Sequence, residues 1–218
     1  MSLDKVLLTV VTAYLIGSFP TAYLIGRLNG VNIFEVGSGN MGTANATRVL
    51  GLKWGLFVWG VDICKGIVAV LLARGILLPH LGWANTLGAL FAVVGHNWSL
   101  FATLLTGRVR GGKGAATWWG TFVMLVPAPF IAVIALVFAG VVALTRYISL
   151  AVLSGVLLGA VSVIMLIIAR NGLAAAPGES TDIYLLYALA ALVMVFYRHR
   201  ENIERLLAGT ERRLGEGA

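Results

Sequence analysis

A first polar segment lies between Arg27 and Lys53 and is dense in hydrogen-bonding side chains. Its centre, residues 37–48, reads GSGNMGTANATR and carries hydroxyl, amide and guanidinium groups at Ser38, Asn40, Thr43, Asn45, Thr47 and Arg48. This density suits a polyhydroxylated or phosphorylated headgroup better than it suits an ordinary short connector, although a glycine-rich membrane loop is the alternative. The glycines also match G-x-G-x-x-G, but a dinucleotide site needs a preceding strand and a βαβ unit.

A second polar segment, residues 106–117, reads TGRVRGGKGAAT. Gly107, Gly112 and Lys113 satisfy G-x-x-x-x-G-K, but Gly114 stands where a Walker motif has Ser or Thr, so an NTPase is not indicated. Glycines let backbone N–H groups converge on an anion, and Lys113 adds a positive charge where a helix is predicted to begin. The segment therefore predicts phosphate binding; the alternative is a basic loop that only fixes topology.

A third polar segment, residues 198–215, begins RHRENIERLL directly after a long apolar stretch. On a helix, His199, Asn202 and Leu206 share one side because they are three and four residues apart. Histidine titrates in the range that general acid–base catalysis uses. The alternative is a basic juxtamembrane helix that binds anionic lipid without catalysis.

The surroundings of these segments are those of a membrane protein. Of the 218 residues 59% are hydrophobic and only 11% are charged, and the mean hydropathy is +0.93. Such a composition excludes disorder and argues against a water-soluble fold. The net charge of +7 favours an anionic lipid or an anionic substrate over nucleic acid. One cysteine excludes a disulfide scaffold.

Uncharged stretches predict an all-α, polytopic transmembrane protein with about seven spans. The stretches are 6–26, 54–73 (interrupted by Asp62 and Lys65), about 82–105, 114–145 divided at Pro127 and Pro129, 147–169 and 183–197. With seven spans, Lys5, Arg74 and Arg170 lie on one side, and every other Lys or Arg except Lys65 lies opposite. The positive-inside rule then puts the N-terminus outside and the C-terminus in the cytoplasm. All three polar segments would share the cytoplasmic face, within a single domain of residues 1–218.

The motifs in this order resemble the bacterial acyl-phosphate:glycerol-3-phosphate acyltransferase family, known as PlsY. Besides the three polar segments, the likeness includes residues 17–20 (GSFP), 62–66 (DICKG) and 95–97 (GHN). It implies an enzyme of the bacterial inner membrane, acting at the cytoplasmic face among membrane lipids. The substrates would be acyl phosphate and glycerol 3-phosphate, and the products lysophosphatidic acid and inorganic phosphate. No cofactor, metal or nucleic acid is implied.

The resemblance also implies site residues. The catalytic group would be Ser38, Arg48, Lys113 and His199, and the substrate-binding group Gly39, Asn40, Asn45, Gly111, Gly112, Gly114, Thr117 and Asn202. Lys113 would mainly bind glycerol 3-phosphate, and Arg48 would serve the transferring group. The proton acceptor is either His199 or a phosphate oxygen of the donor, and no acyl-enzyme is expected.

Two other classes use similar residues. A transporter of a phosphorylated metabolite would need polar side chains across the membrane, whereas the spans offer Asp62, Lys65 and His96 and little else. Asp62 and Lys65 can pair with each other at a spacing of three. A metal-dependent phosphotransferase would need clustered carboxylates, whereas the first two loops contain only Glu35.

Overall fold

The computed structural model describes residues 2–77, 80–169, 172–174 and 180–215. Arg170, which enters the charge bias, lies outside the described residues. These ranges contain eleven α-helices and no strand, which confirms the all-α class. In chain order the helices are α1 (Leu3–Ser18), α2 (Thr21–Leu28), α3 (Thr43–Leu50), α4 (Leu52–Leu77), α5 (Leu81–Asn97), α6 (Leu100–Thr106), α7 (Ala115–Phe122), α8 (Ala128–Thr145), α9 (Ile148–Ile168), α10 (Ile183–Arg198) and α11 (Arg200–Leu207).

Within the part of the chain that the structure describes, four helical segments are long and apolar enough to cross a membrane. They are Leu3–Leu28, which combines α1 and α2, and the single helices α4, α8 and α9. A fifth is obtained if α10 and α11 form one span bent by 62°. Helix α7 has 8 residues and reaches only about 12 Å, too short to cross a bilayer alone. The count of seven spans and the orientation therefore stay predictions.

Two predicted spans are interrupted by their own sequence. Helix α1 ends at Ser18 and α2 begins at Thr21, because Pro20 has no N–H group to continue the hydrogen-bond ladder. The stretch 82–105 divides into α5 and α6 at Trp98 and Ser99. The Ser99 hydroxyl caps α6 by accepting from the Ala102 amide at 3.0 Å, and it donates to the Ser18 carbonyl.

Helices α1, α4, α5 and α7 pack closely against one another because glycines occupy their crossing points. A Cβ atom on Gly17 would collide with the Ala92 carbonyl, and one on Gly95 with the Tyr14 carbonyl. Gly66 of α4 and Gly120 of α7 make the same kind of contact with the opposing backbone. Helix α8 differs, since it packs mainly on α9 and buries only Ile134.

The charged pair inside α4 forms as its spacing predicts. The Lys65 ammonium donates to Asp62 Oδ1 at 2.6 Å and to the Phe19 carbonyl at 2.5 Å, and both side chains are buried. Nδ1 of His96 lies 3.9 Å from the same carboxylate oxygen and has no hydrogen-bond partner within the described residues. Because Lys65 also bonds to the Phe19 carbonyl at the α1–α2 break, the pair ties α4 to this break in the first span.

Candidate active site

The three polar segments come together at one end of the bundle, as the sequence predicts. The Lys113 ammonium donates a hydrogen bond to Oδ1 of Asn202, and Nε of Arg198 donates to the Gly112 carbonyl at 2.9 Å. These bonds join the second segment to the third. The first segment completes the arrangement, since Ser38 lines the same two cavities as Lys113.

Asn45 organises the first loop. Its side chain is buried, its Oδ1 accepts from the Ser38 amide at 2.8 Å, and its Nδ2 donates to the carbonyls of Ile33 and Val36 at 3.1 and 3.2 Å. The amide side chain is therefore occupied by the loop backbone, and it acts on the site by positioning Ser38. Asn40 similarly accepts from the Gly42 amide at 3.0 Å, just before α3 begins.

The glycine-rich loop is held against the end of α5. The Gly112 amide donates to the His96 carbonyl at 2.8 Å, so this N–H group is already used within the fold. A Cβ on Gly111 would collide with the Asn97 carbonyl, and one on Gly112 with the His96 ring. Gly111 and Gly112 thus serve the close packing of the loop. Gly114 adopts a left-handed conformation (φ 77°) at the start of α7.

Two helix N-termini point at one cavity. Gly42, Thr43 and Ala44 begin α3, and Gly114, Ala115 and Ala116 begin α7, and all of them line it. The unpaired N–H groups and the helix dipole give each terminus a partial positive charge that favours an anion. Lys113 adds a full charge beside α7. This end of the site is therefore suited to phosphate.

Burial changes the titration of Lys113. Removal from water is the main cause that lowers its pKa from the ordinary value of 10.5 to about 8, and the nearby Arg205 guanidinium lowers it further. Glu211 acts in the opposite direction. The ammonium is thus charged at neutral pH and close to losing its proton under mildly alkaline conditions.

Glu211 anchors a hydrogen-bond network next to Lys113. Its carboxylate accepts from Nδ2 of Asn202 at 2.6 Å, from the Ser149 hydroxyl at 2.9 Å and from Nε of Arg205 at 2.8 Å. Although burial alone would raise its pKa, these hydrogen bonds lower the pKa of Glu211 below its ordinary value. The ionised carboxylate therefore holds Asn202 in the orientation that receives Lys113.

His199 lies between α10 and α11 and is 4% exposed. Nδ1 lies 2.8 Å from the Val195 carbonyl; because a carbonyl only accepts, the proton is on Nδ1 and Nε2 carries the lone pair. Burial, followed by the charge of Lys113, lowers the pKa of His199 from 6.5 to about 4. The imidazole is thus neutral at physiological pH and presents a hydrogen-bond acceptor to the site.

Two adjoining cavities of about 520 and 560 Å³ meet at Ser38, Lys113 and His199. The first is mainly apolar and runs between α4, α7, α8 and α9, past Leu56, Trp59, Trp118, Phe138 and Val152. The second has a mixed lining, which includes the charged and polar side chains of Arg48, Asn202, Arg205 and Glu211. We call them the apolar cavity and the polar pocket. Their junction therefore places polar side chains directly beside an apolar lining.

Eight of the twelve site residues predicted from the sequence line one or both cavities, and four line neither. Ser38, Asn40, Lys113 and His199 line both cavities; Asn45 and Gly114 line the apolar cavity, and Arg48 and Asn202 line the polar pocket. Gly39, Gly111, Gly112 and Thr117 line neither. Of the other basic residues of the second loop, Arg108 and Arg110 also lie outside, and the Arg110 guanidinium covers the Phe34 ring at 5.0 Å.

The tail and the start of α9 each contribute a lining residue that the motifs did not identify. Leu214 lines both cavities because its amide donates to the Arg146 carbonyl at 2.7 Å and its carbonyl accepts from the Arg146 guanidinium at 2.6 and 3.0 Å. Ser149 enters the polar pocket from the first turn of α9. A hydroxyl at the start of an apolar helix, next to Arg146, is the only sequence signal for it.

Within the described residues, no group of three His, Cys, Asp or Glu side chains could hold a metal ion.

The fold and the site define a class: a helical membrane protein with a mainly apolar cavity beside a pocket of charged and polar side chains. The profile of the glycerol-3-phosphate acyltransferase family matches residues 7–209. The chain belongs to this family.

The chain aligns with similar proteins over nearly the whole length of both sequences. Glycerol-3-phosphate acyltransferase 2 of Moorella thermoacetica is 42% identical over 211 residues, which are 96% of this chain and 98% of the relative. Glycerol-3-phosphate acyltransferase of Thermus thermophilus is 41% identical over 210 residues, which are 96% of each chain. The crystal structure of PlsY (YgiH), an integral membrane glycerol 3-phosphate acyltransferase, in its glycerol 3-phosphate form has 33% identity and a TM-score of 0.80, covering 96% of each chain. Its lysophosphatidic acid form has 33% identity and a TM-score of 0.76, covering 96% of this chain and 95% of that one.

Proposed function

We propose that this protein transfers a fatty acyl group from acyl phosphate to the 1-hydroxyl of glycerol 3-phosphate, releasing lysophosphatidic acid and inorganic phosphate. The family is that of glycerol-3-phosphate acyltransferases, and the two crystallised forms of PlsY carry the acceptor and the product in their names. The identity of the donor is the part that we add. Membership of an acyltransferase family disfavours the transporter alternative.

The observation that carries the proposal is the junction of the two cavities. An apolar cavity suits an acyl chain, and a polar pocket with Arg48, Arg205 and Lys113 suits a small phosphorylated acceptor. The reacting carbonyl would lie where they meet, beside Ser38, Lys113 and His199. A compact phosphate on the donor fits between the N-termini of α3 and α7, which already favour an anion.

The reaction follows from this placement. The 1-hydroxyl oxygen attacks the carbonyl carbon, the bond from carbon to the phosphate oxygen breaks, and inorganic phosphate leaves. Lys113 and the Ser38 hydroxyl can donate to the oxygen that becomes negative, and the charge of Lys113 also favours the leaving phosphate. Arg48 binds the acceptor phosphate within the polar pocket. Holding both substrates at the junction supplies much of the rate.

The proton of the hydroxyl goes to the donor phosphate. His199 is a weak base because its pKa is about 4, whereas the phosphate oxygens of the donor become more basic as the bond to the carbonyl carbon breaks and inorganic phosphate forms. Nε2 of His199 accepts a hydrogen bond from the neighbouring 2-hydroxyl of glycerol 3-phosphate and so orients the acceptor for attack by its 1-hydroxyl. His199 thus orients the acceptor and the donor phosphate takes the proton, because the imidazole is buried next to the charge of Lys113.

We also propose that the whole chain forms one domain in the bacterial inner membrane, with the site at the cytoplasmic face. The location of the acceptor supports this, because glycerol 3-phosphate is a charged cytoplasmic metabolite that does not cross a bilayer unaided. Membrane lipid surrounds the apolar helices, and the lipid product can pass into it directly.

The test is an assay of the purified protein in detergent with radiolabelled glycerol 3-phosphate and either palmitoyl phosphate or palmitoyl-CoA. We expect labelled lysophosphatidic acid with palmitoyl phosphate and none with palmitoyl-CoA. Equal activity with the thioester would contradict the assigned donor. Uptake of label into proteoliposomes without conversion would contradict acyl transfer.

A further inference from the structure

Gly155 is unlike the other buried glycines of the membrane helices. At Gly17, Gly66, Gly95 and Gly120 an added Cβ would collide with the backbone of another helix, so each glycine permits a close crossing. At Gly155 the only atom of the described residues within 4 Å of an added Cβ is Cγ2 of Ile134, at 3.5 Å, which is an ordinary contact. Helix packing alone does not require a glycine at this position.

Gly155 lies instead at the inner end of the apolar cavity. Ile148, Val152 and Gly155 line the cavity from successive turns of α9, and Gly155 is about 10 Å further along the helix axis than Ile148. One turn further, Gly159 is closed off, because an added Cβ there would be 2.6 Å from Cζ2 of Trp118. The free space along α9 therefore stops between Gly155 and Gly159.

Two of the residues that bound this end, Ile134 and Trp118, are more enclosed than the aromatic side chains along the side of the cavity. Ile134 is 2% and Trp118 5% exposed, whereas Trp59 and Phe138, which also line the cavity, are 45% and 37% exposed. An acyl chain that enters from the junction thus passes partly exposed side chains and ends against buried ones. The missing side chain at residue 155 leaves room between them.

We propose that Gly155 determines the acyl-chain length of the donor, because its missing side chain leaves the space that the terminal methylenes occupy between Ile134 and Trp118. This inference rests on the proposed function, since it assumes that the donor's acyl chain fills the apolar cavity. A larger residue at 155 shortens the space from the α9 side. A smaller residue at 134 lengthens it from the α8 side.

The test is competition between pairs of acyl phosphates, from octanoyl to stearoyl, which gives ratios of kcat/KM within one reaction. Gly155→Leu and the milder Gly155→Ala should shift the preference to shorter chains, with roughly a fourfold loss for each methylene displaced from the cavity. Ile134→Ala should shift it to longer chains. Gly140→Leu is the matched control, because Gly140 is on α8, outside the cavity, and no atom lies within 4 Å of its added Cβ.

Opposite shifts in the Gly155 and Ile134 variants, with the wild-type profile in Gly140→Leu, support the inference. Overturning results are a Gly155→Leu enzyme that loses the same factor with every donor, or Gly155→Ala and Ile134→Ala enzymes that keep the wild-type ratios. A wild-type protein that uses no acyl phosphate contradicts the proposed function instead. A folded, active wild type with unaltered variant profiles contradicts only the role of Gly155.

Discussion

The Lys113 ammonium donates a hydrogen bond to the side-chain carbonyl of Asn202, which lies 89 residues later in the chain. Asn202 in turn donates to Glu211 at 2.6 Å, so the position of the lysine depends on the tail as well as on its own loop. The bond holds one positive charge at the junction of the two cavities. The behaviour of that charge is the basis of the first two predictions.

The pH dependence of acceptor use should follow Lys113. Its lowered pKa of about 8 means that the free enzyme is charged below this pH and neutral above it, so kcat/KM for glycerol 3-phosphate should fall above pH 8. In the complex the phosphate anions raise the lysine pKa, and kcat should therefore hold to higher pH. Lys113→Arg should abolish the fall, because a guanidinium does not titrate in this range. A Lys113→Arg enzyme with the wild-type fall would assign the titration to another group.

Arg48→Ala and Lys113→Ala should have different effects. The family resemblance implies acceptor binding for Lys113 and a role at the transferring group for Arg48. In the structure, however, Lys113 lies at the junction of the cavities, whereas Arg48 lines the polar pocket and not the apolar cavity. We therefore expect Lys113→Ala to lower kcat about a hundred- to a thousandfold and Arg48→Ala mainly to raise the KM for glycerol 3-phosphate. Steady-state kinetics with both substrates varied give the two constants. Arg108→Ala, from the same loop but outside both cavities, is the control, and an Arg48→Ala enzyme with a normal KM would remove Arg48 from the acceptor site.

His199→Gln should retain far more activity than His199→Ala. Glutamine keeps a neutral acceptor near the position of Nε2 but cannot take a proton, so we expect a loss of less than about tenfold, against about a hundredfold for alanine. Measurement of kcat at saturating substrates decides between the roles. Equal, large losses in both variants would make His199 the general base, in place of the donor phosphate.

Ser38→Ala should lower kcat about a hundredfold without abolishing transfer, because the hydroxyl donates to the developing negative charge and is not acylated. Quenching the wild type after mixing with radiolabelled acyl phosphate, in the absence of acceptor, should leave no label on the protein. Label that is protein-bound and chases into lysophosphatidic acid would establish a covalent intermediate. The full reaction should also be unchanged by EDTA; loss of activity that magnesium restores would require a metal.

Cysteine labelling should test the proposed orientation. In a Cys64→Ala background, a membrane-impermeant maleimide added to intact cells should label Ser180→Cys and should not label Glu35→Cys or Arg108→Cys. All three positions are exposed in loops. Gly39 and Gly111 lie in the same two polar segments as Glu35 and Arg108, but they are poor positions for a cysteine because a Cβ there meets backbone oxygens. Permeabilised cells provide the control for reactivity. Labelling of Arg108→Cys from outside would contradict a cytoplasmic site.

The sequence by itself determined the membrane character, the three polar segments and the pairing of Asp62 with Lys65. Each of these depends on local chemistry: long uncharged stretches belong in lipid, and opposite charges three residues apart meet on one helix. The same local chemistry predicted that the segments around Ser38, Lys113 and His199 are polar and suited to an anion, whereas the catalytic roles of these residues came from the resemblance to the PlsY family.

Only the tertiary structure decided which polar groups of the motifs are used within the fold and which residues line the cavities. Asn45 and Gly112 look like ligands in the sequence, yet their polar groups bond to Ile33, Val36, Ser38 and His96 within the fold. Gly155 and Gly159 are both glycines in the middle of α9, and only the positions of Ile134 and Trp118 separate an open cavity from a packed crossing. The physical reason is that such roles depend on contacts between distant helices, whose crossing geometry no local pattern encodes.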